Sequence, residues 1–72
     1  MAYTAPHLGR VTAFDGHRGT GVVTTTAGNA LDFHCTRIAD GSRTIAVGTP
    51  VAFTVVPGAP GRWEASGLVT LA

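Results

Sequence analysis

The stretch HRGTGVV, residues 17–23, sets two glycines around a threonine, with a basic residue before them and two valines after. The runs on either side both read as β-strand, so the reading of these residues decides the fold. A G-x-G step can open a phosphate-cradling loop. Such a loop also needs a Walker lysine and a following helix, and the sequence provides neither. A hairpin fits better: Asp15-Gly16 turns the chain, and a β-branched run then leaves the turn as a strand.

The same punctuation continues outward in both directions. LGRVTAFD (8–15) reads as the first strand and TGVVTTT (20–26) as the second. AGN (27–29) makes a tight turn into ALDFHC (30–35), where Leu31, Phe33 and Cys35 alternate with Asp32 and His34. The first set is expected in the core and the second on an open face. Residues 36–39 hold the one candidate helical turn, followed by a loop around Gly41. PVAFTVV (50–56) is a fourth strand with Val51, Phe53 and Val55 on one face, and Pro50 is tolerable as its first residue. PGAPG (57–61) turns the chain into a fifth strand, 62–72, in which Gly67 marks a bulge or a tight bend. Five short strands with almost no helix predict an all-β protein, a small antiparallel Greek-key barrel whose closure removes exposed edges.

Composition agrees with one small domain. The chain has 72 residues, 44% hydrophobic and 12% charged, which argues against intrinsic disorder. Residues 1–7 are expected to form a flexible N-terminal extension. Five arginines, no lysine and four acids give a net charge of +1, a footprint that neither demands nor excludes nucleic acid. Cys35 is the lone cysteine, so an intrachain disulfide and a cysteine-based zinc site are both ruled out. The opening residues lack a basic stretch leading into an apolar one, and no apolar run approaches the roughly 20 residues of a membrane span. A cytoplasmic protein with no membrane partner is the expectation.

With these elements in order, the segment from Gly9 to Ala72 resembles the bacterial cold-shock domain, an OB-fold barrel that binds single-stranded RNA and DNA. GRVTAFDGHRGTGVV is similar to the family pattern G-x-V-K-W-F-x-x-x-K-G-F-G-F-I in length and in every glycine. LDFHCTRI resembles V-F-V-H-F-S-x-I, and RTIAVGTPVAFTVV resembles R-T-L-x-E-G-x-x-V-x-F-E-V. GRWEASGLVTLA is similar to the family's G-P-x-A-x-N-V-x-x ending, with one residue inserted. The lack of lysine beside abundant Ala, Gly, Thr and Arg points to a GC-rich bacterial genome.

The departures carry as much as the matches. The resemblance implies a platform of aromatic rings on which bases stack, and most of the rings are replaced. Ala13 stands at the tryptophan position, Thr20 and Val22 at the two phenylalanines of the glycine-rich strand, and Asp32 and Cys35 at those of the third strand. Ser42 takes the place of a loop phenylalanine. His34 keeps its platform position, Phe14 lies beside the lost tryptophan, and Arg18 replaces the motif lysine. Stacking contributes roughly 1–3 kcal/mol per base, so binding should be weakened by orders of magnitude. Asp32 adds a charge of the wrong sign. With about three of Arg10, Arg18, Arg37 and Arg43 facing the ligand, the salt slope would be only about 2.

Trp63 has two readings: a relocated stacking surface, or a ring packed over a barrel end, the commoner fate of tryptophan in a small domain. Cys35 is expected to be inert and half-buried. A catalytic role finds no support, since Asp32, His34, Ser42 and Ser66 form no nucleophile motif and so small a barrel offers no deep pocket. The spacing of His7, His17, His34 and Asp32 matches no metal-ligand pattern, and no cofactor is expected. Two functions remain. One is a weak single-strand RNA- or DNA-binding protein, an RNA chaperone or transcript regulator, with Arg10, Phe14, Arg18, Thr20, Val22, Asp32, His34, Arg37 and Trp63 at its interface. The other is a barrel repurposed for a protein partner or homodimer, with Ala13, Thr20, Val22 and Cys35 as the contact.

Overall fold

In the computed structural model, which describes residues 6–58 and 60–71, five strands follow one another along the chain. They are β1 (His7–Asp15), β2 (Thr20–Thr25), β3 (Ala30–His34), β4 (Pro50–Pro57) and β5 (Trp63–Thr70). A 3-10 turn, Cys35–Arg37, follows β3, one residue earlier than the sequence predicts. The strands close into a barrel in the order β1-β2-β3-β5-β4, with β4 returning to β1. This is the expected small all-β barrel, with OB-fold-like architecture. Four of its pairings are antiparallel. The last closure, β3 to β5, is parallel and slight: Asp32 faces Glu64, and an isolated bridge joins Ile38 to Leu68.

The core is small. Val11, Val23, Phe33, Ile38, Val51, Phe53, Ala65 and Leu68 are buried, with Phe14, Leu31, Cys35, Ile45 and Val55 packed partly against them. Every strand contributes at least one of these side chains. Each large one stabilises the fold by roughly 1.5–3 kcal/mol through removal of apolar surface from water. The alternation expected in β3 holds: Phe33 points inward while Asp32 and His34 are exposed.

Two bulges set which residues face out. In β1, Val11 pairs with Val23 but Ala13 pairs with Val22, so Thr12 is an extra residue. The bulge shifts the alternation by one, leaving Thr12 and Ala13 both exposed and turning Phe14 towards the core. The Thr12 hydroxyl is held between the Val22 carbonyl (3.3 Å) and the Thr24 hydroxyl (3.0 Å). In β5, Gly67 and Leu68 together oppose Phe53, and Gly67 takes a φ of +63°. The bulge expected at Gly67 is therefore present, at a backbone conformation that glycine adopts without a Cβ penalty.

One expectation is corrected at the N-terminus. Residues 1–5 of the expected extension lie outside the described residues, but His7 opens β1 and pairs with Phe53. Its ring stacks on the buried Phe53 ring at 5.9 Å between centroids, so the strand begins at His7, one residue before the expected start at Leu8.

Candidate functional site

The outer face of β1, β2 and β3 carries an open groove of about 560 Å³. The register explains its composition. Ala13, Val22 and Asp32 form one row across the three strands, and Asp15, Thr20 and His34 form the next outward row. Between them runs the row Phe14, Gly21, Phe33. Gly21 is required there by contact: a Cβ at this position would stand 2.6 Å from the Phe33 ring and 2.7 Å from the Ala13 carbonyl oxygen. The gap it leaves lets Phe14 stack on Phe33, with centroids 6.1 Å apart and planes 19° apart, and this pair floors the groove.

The opening stretch, HRGTGVV, forms the turn and strand that build this face. Asp15 accepts backbone N–H bonds from His17 (2.9 Å) and Arg18 (3.3 Å), and the Gly19 N–H bonds the Asp15 carbonyl at 2.8 Å. Part of the Asp15 charge is thus spent on ordering the turn. Gly19, at φ +70°, lies against Cys35, and its carbonyl accepts the Cys35 N–H at 2.7 Å. Cys35 is half-buried beneath this contact, as expected.

His34 is fixed more tightly than an exposed side chain usually is. Its Nδ1 accepts the Thr36 N–H at 3.2 Å and lies 3.0 Å from the Thr36 hydroxyl. A neutral ring that accepts at Nδ1 carries its proton on Nε2. The side chain therefore caps the 3-10 turn with one nitrogen and keeps the other as a donor.

The charges are arranged differently from the sequence expectation of an arginine-weighted face. Asp15, Asp32 and Glu64 all line the groove, and none of the five arginines does. Arg10 donates to the Gly48 carbonyl at 2.9 Å, on the side of β1 that meets β4. Arg37 ends the 3-10 turn, and Arg43 lies exposed in the connection to β4. Arg18 sits in the turn between two groove residues, Asp15 and Thr20. Two residues that the sequence reading left out matter here. Glu64 is brought beside Asp32 by the parallel closure, and Arg62 reaches Asp32 with its guanidinium 3.4 Å from the carboxylate. No local pattern announces either, because both depend on where β5 docks.

Trp63 does not take the packed reading. It does stand at a barrel end, but it is not buried over it: 62% of the residue is exposed. It overlooks a second open groove of about 870 Å³, lined on the apolar side by Leu8, Leu31 and Val55 and on the polar side by Thr25 and Asn29. Among the described residues no three His, Cys, Asp or Glu side chains gather as metal ligands would, and no helix is long and apolar enough to cross a membrane. No family model matches the chain, and no curated protein matches it either.

Proposed function

We propose that the chain binds single-stranded nucleic acid weakly, across the β1–β2–β3 face of its barrel. The observation that carries this reading is the His34 ring, locked by its own cap, on a groove floored by the stacked Phe14–Phe33 pair. An immobilised ring with a free Nε2–H offers a base both a stacking surface and a donor to its edge. The resemblance of the strand motifs to the cold-shock domain supports the same reading, and with it a cytoplasmic, bacterial protein acting as an RNA chaperone or transcript regulator.

The three carboxylates set the strength. They repel a polyanion, and the arginines contribute only from the rim, so affinity for simple oligonucleotides is low and falls with salt at a small slope. Titration of labelled oligo-dT and an unstructured RNA at about 50 and 200 mM salt tests this. Micromolar or tighter binding that fades at the higher salt is expected. A folded protein that shows no binding at high micromolar concentration overturns the reading.

One observation favours a second reading. An apolar floor rimmed by Asp15, Asp32 and Glu64 suits a protein segment carrying lysine or arginine. If oligonucleotides fail while a basic peptide binds and is competed off by salt, the face serves a protein partner.

A further inference from the structure

We infer that the groove at the barrel end beside Trp63 holds the terminal nucleotide of a bound single strand, its base against the indole and its phosphate on Arg62. This rests on the single-strand reading above and adds a subsite that lies off the β1–β2–β3 face.

The groove is built where five strand ends meet. Leu8 comes from the start of β1, Thr25 from the end of β2, Leu31 from the start of β3, Val55 from β4 and Trp63 from the start of β5. Its volume of about 870 Å³ falls within the range of roughly 300–1,000 Å³ usual for small-molecule sites. The lining combines one large flat ring, aliphatic walls and an amide from Asn29, which can both donate and accept. That combination fits a flat heteroaromatic ring with polar edges. A tryptophan this exposed is uncommon in a small domain, where the indole is ordinarily needed for burial.

Charge narrows the ligand further. Apart from His7, whose ring is engaged on Phe53, the lining has no ionisable side chain among the described residues. The cation beside it is Arg62, next to Trp63 in sequence and 69% exposed at its side chain. A flat ring next to a single exposed guanidinium matches a base carrying one phosphate. Continuity favours a strand end over a free nucleotide. Asp32 lines the main groove and also a small depression shared with Arg62 and Trp63, and Trp63 in turn lines the barrel-end groove. A strand leaving the main groove past Asp32 meets Arg62 and then the indole.

Trp63 is the one tryptophan of the chain, so tryptophan fluorescence reports this end of the barrel. The experiment titrates the full chain with oligo-dT six nucleotides long and, separately, with thymidine 5′-monophosphate. Binding is followed both by Trp63 fluorescence and by a label on the oligonucleotide. The strand should quench Trp63, and the monophosphate should not at the same concentration. Trp63→Ala should weaken strand binding by about 5- to 150-fold, the loss expected for one stacked base, with Trp63→Phe retaining most of it. Arg62→Gln should weaken binding and reduce the salt slope by about 0.7.

Strand binding that leaves Trp63 fluorescence and the Trp63→Ala affinity unchanged overturns the subsite but leaves the main-face reading standing. Equal quenching by the free monophosphate overturns the assignment to a strand end. A Trp63 signal that changes with protein concentration in the absence of nucleic acid means that a second copy covers the groove, and the inference falls. Failure of the oligonucleotide to bind at all removes the single-strand reading and this inference together.

Discussion

The carboxylate of Asp32 stands 3.4 Å from the guanidinium of Arg62, thirty residues away in sequence, on the boundary between the main groove and the groove of Trp63. The pair is exposed on both sides, and such pairs contribute only about 0–1 kcal/mol, so a phosphate can displace the carboxylate at little cost. Asp32 thus acts twice against a strand, by repelling it and by occupying the nearest cation. Asp32→Asn is expected to raise affinity for oligo-dT by about 3- to 10-fold, because the phosphate then reaches Arg62 without displacing a carboxylate and meets one opposing charge fewer. In the double variant with Arg62→Gln, most of the gain should vanish. A gain of equal size in both backgrounds would mean that Asp32 acts by repulsion alone.

Gly21 tests the floor of the main groove. A methyl at this position meets the Phe33 ring and the Ala13 carbonyl oxygen well inside van der Waals contact. Overpacking of this kind costs about 1–3 kcal/mol, so Gly21→Ala should lower the denaturation midpoint clearly. Gly16→Ala is the control. Its nearest neighbour would be the Phe14 ring at 3.9 Å and its φ is not positive, so it should be neutral or stabilise by about 0.4–1 kcal/mol. Equal melting curves for the two variants would contradict the stacked floor.

How far the site could be read beforehand follows from what alternation can encode. Leu31, Phe33 and the exposed pair Asp32 and His34 were legible because a strand sends successive side chains to opposite faces. Gly67 was legible as a break in that pattern. Arg62 and Glu64 were not, because they reach Asp32 only through the parallel docking of β5, a long-range event with a single matched pair in β3. The exposure of Trp63 stayed open between two readings for a related reason. Burial is the ordinary fate of indole, and only the open barrel end leaves this one uncovered. Phe14 was placed beside the platform without a mechanism, and the Thr12 bulge supplies it by turning the ring onto Phe33.

His7 gives a measurable consequence of the longer β1. Its ring stacks on Phe53 at 5.9 Å, a contact of the kind that contributes about 0.5–1.5 kcal/mol. His7→Ala should therefore destabilise the barrel by about that amount in denaturant titration. His17→Ala, on the exposed turn, should change stability by less than about 0.5 kcal/mol. Indistinguishable midpoints would place His7 outside the folded unit.

Asp40 supplies a pH dependence. The Ser42 backbone N–H donates to its carboxylate at 2.9 Å, and this bond holds the carboxyl below its ordinary value of 3.8. A lowered folded-state pKa means that the ionised form favours the fold. That contribution is complete above about 3.8 and disappears as pH falls through the lowered value. Thermal melts between about pH 5 and pH 2 should show a shallower acid decline for Asp40→Asn than for the wild type. Parallel declines would show that the Ser42 bond does not persist in solution.

Restoring the missing rings is the most direct test of what the main face is for. Thr20 is exposed on the row with Asp15 and His34, and Val22 is half-exposed on the row with Ala13 and Asp32, so both positions present side chains to the groove. Neither belongs to the buried core, and Thr20→Phe and Val22→Phe should leave the barrel folded. If the face is a single-strand platform with its stacking surface removed, each ring should return about 1–3 kcal/mol, a gain of about 5- to 150-fold in affinity for oligo-dT. The gain should be larger in the Asp32→Asn background, where the opposing charge is gone. A folded double-phenylalanine variant that still fails to bind would mean that the strand path does not cross this face. The carboxylates of Asp15, Asp32 and Glu64 would then be read as the recognition elements of an interface for a basic protein segment.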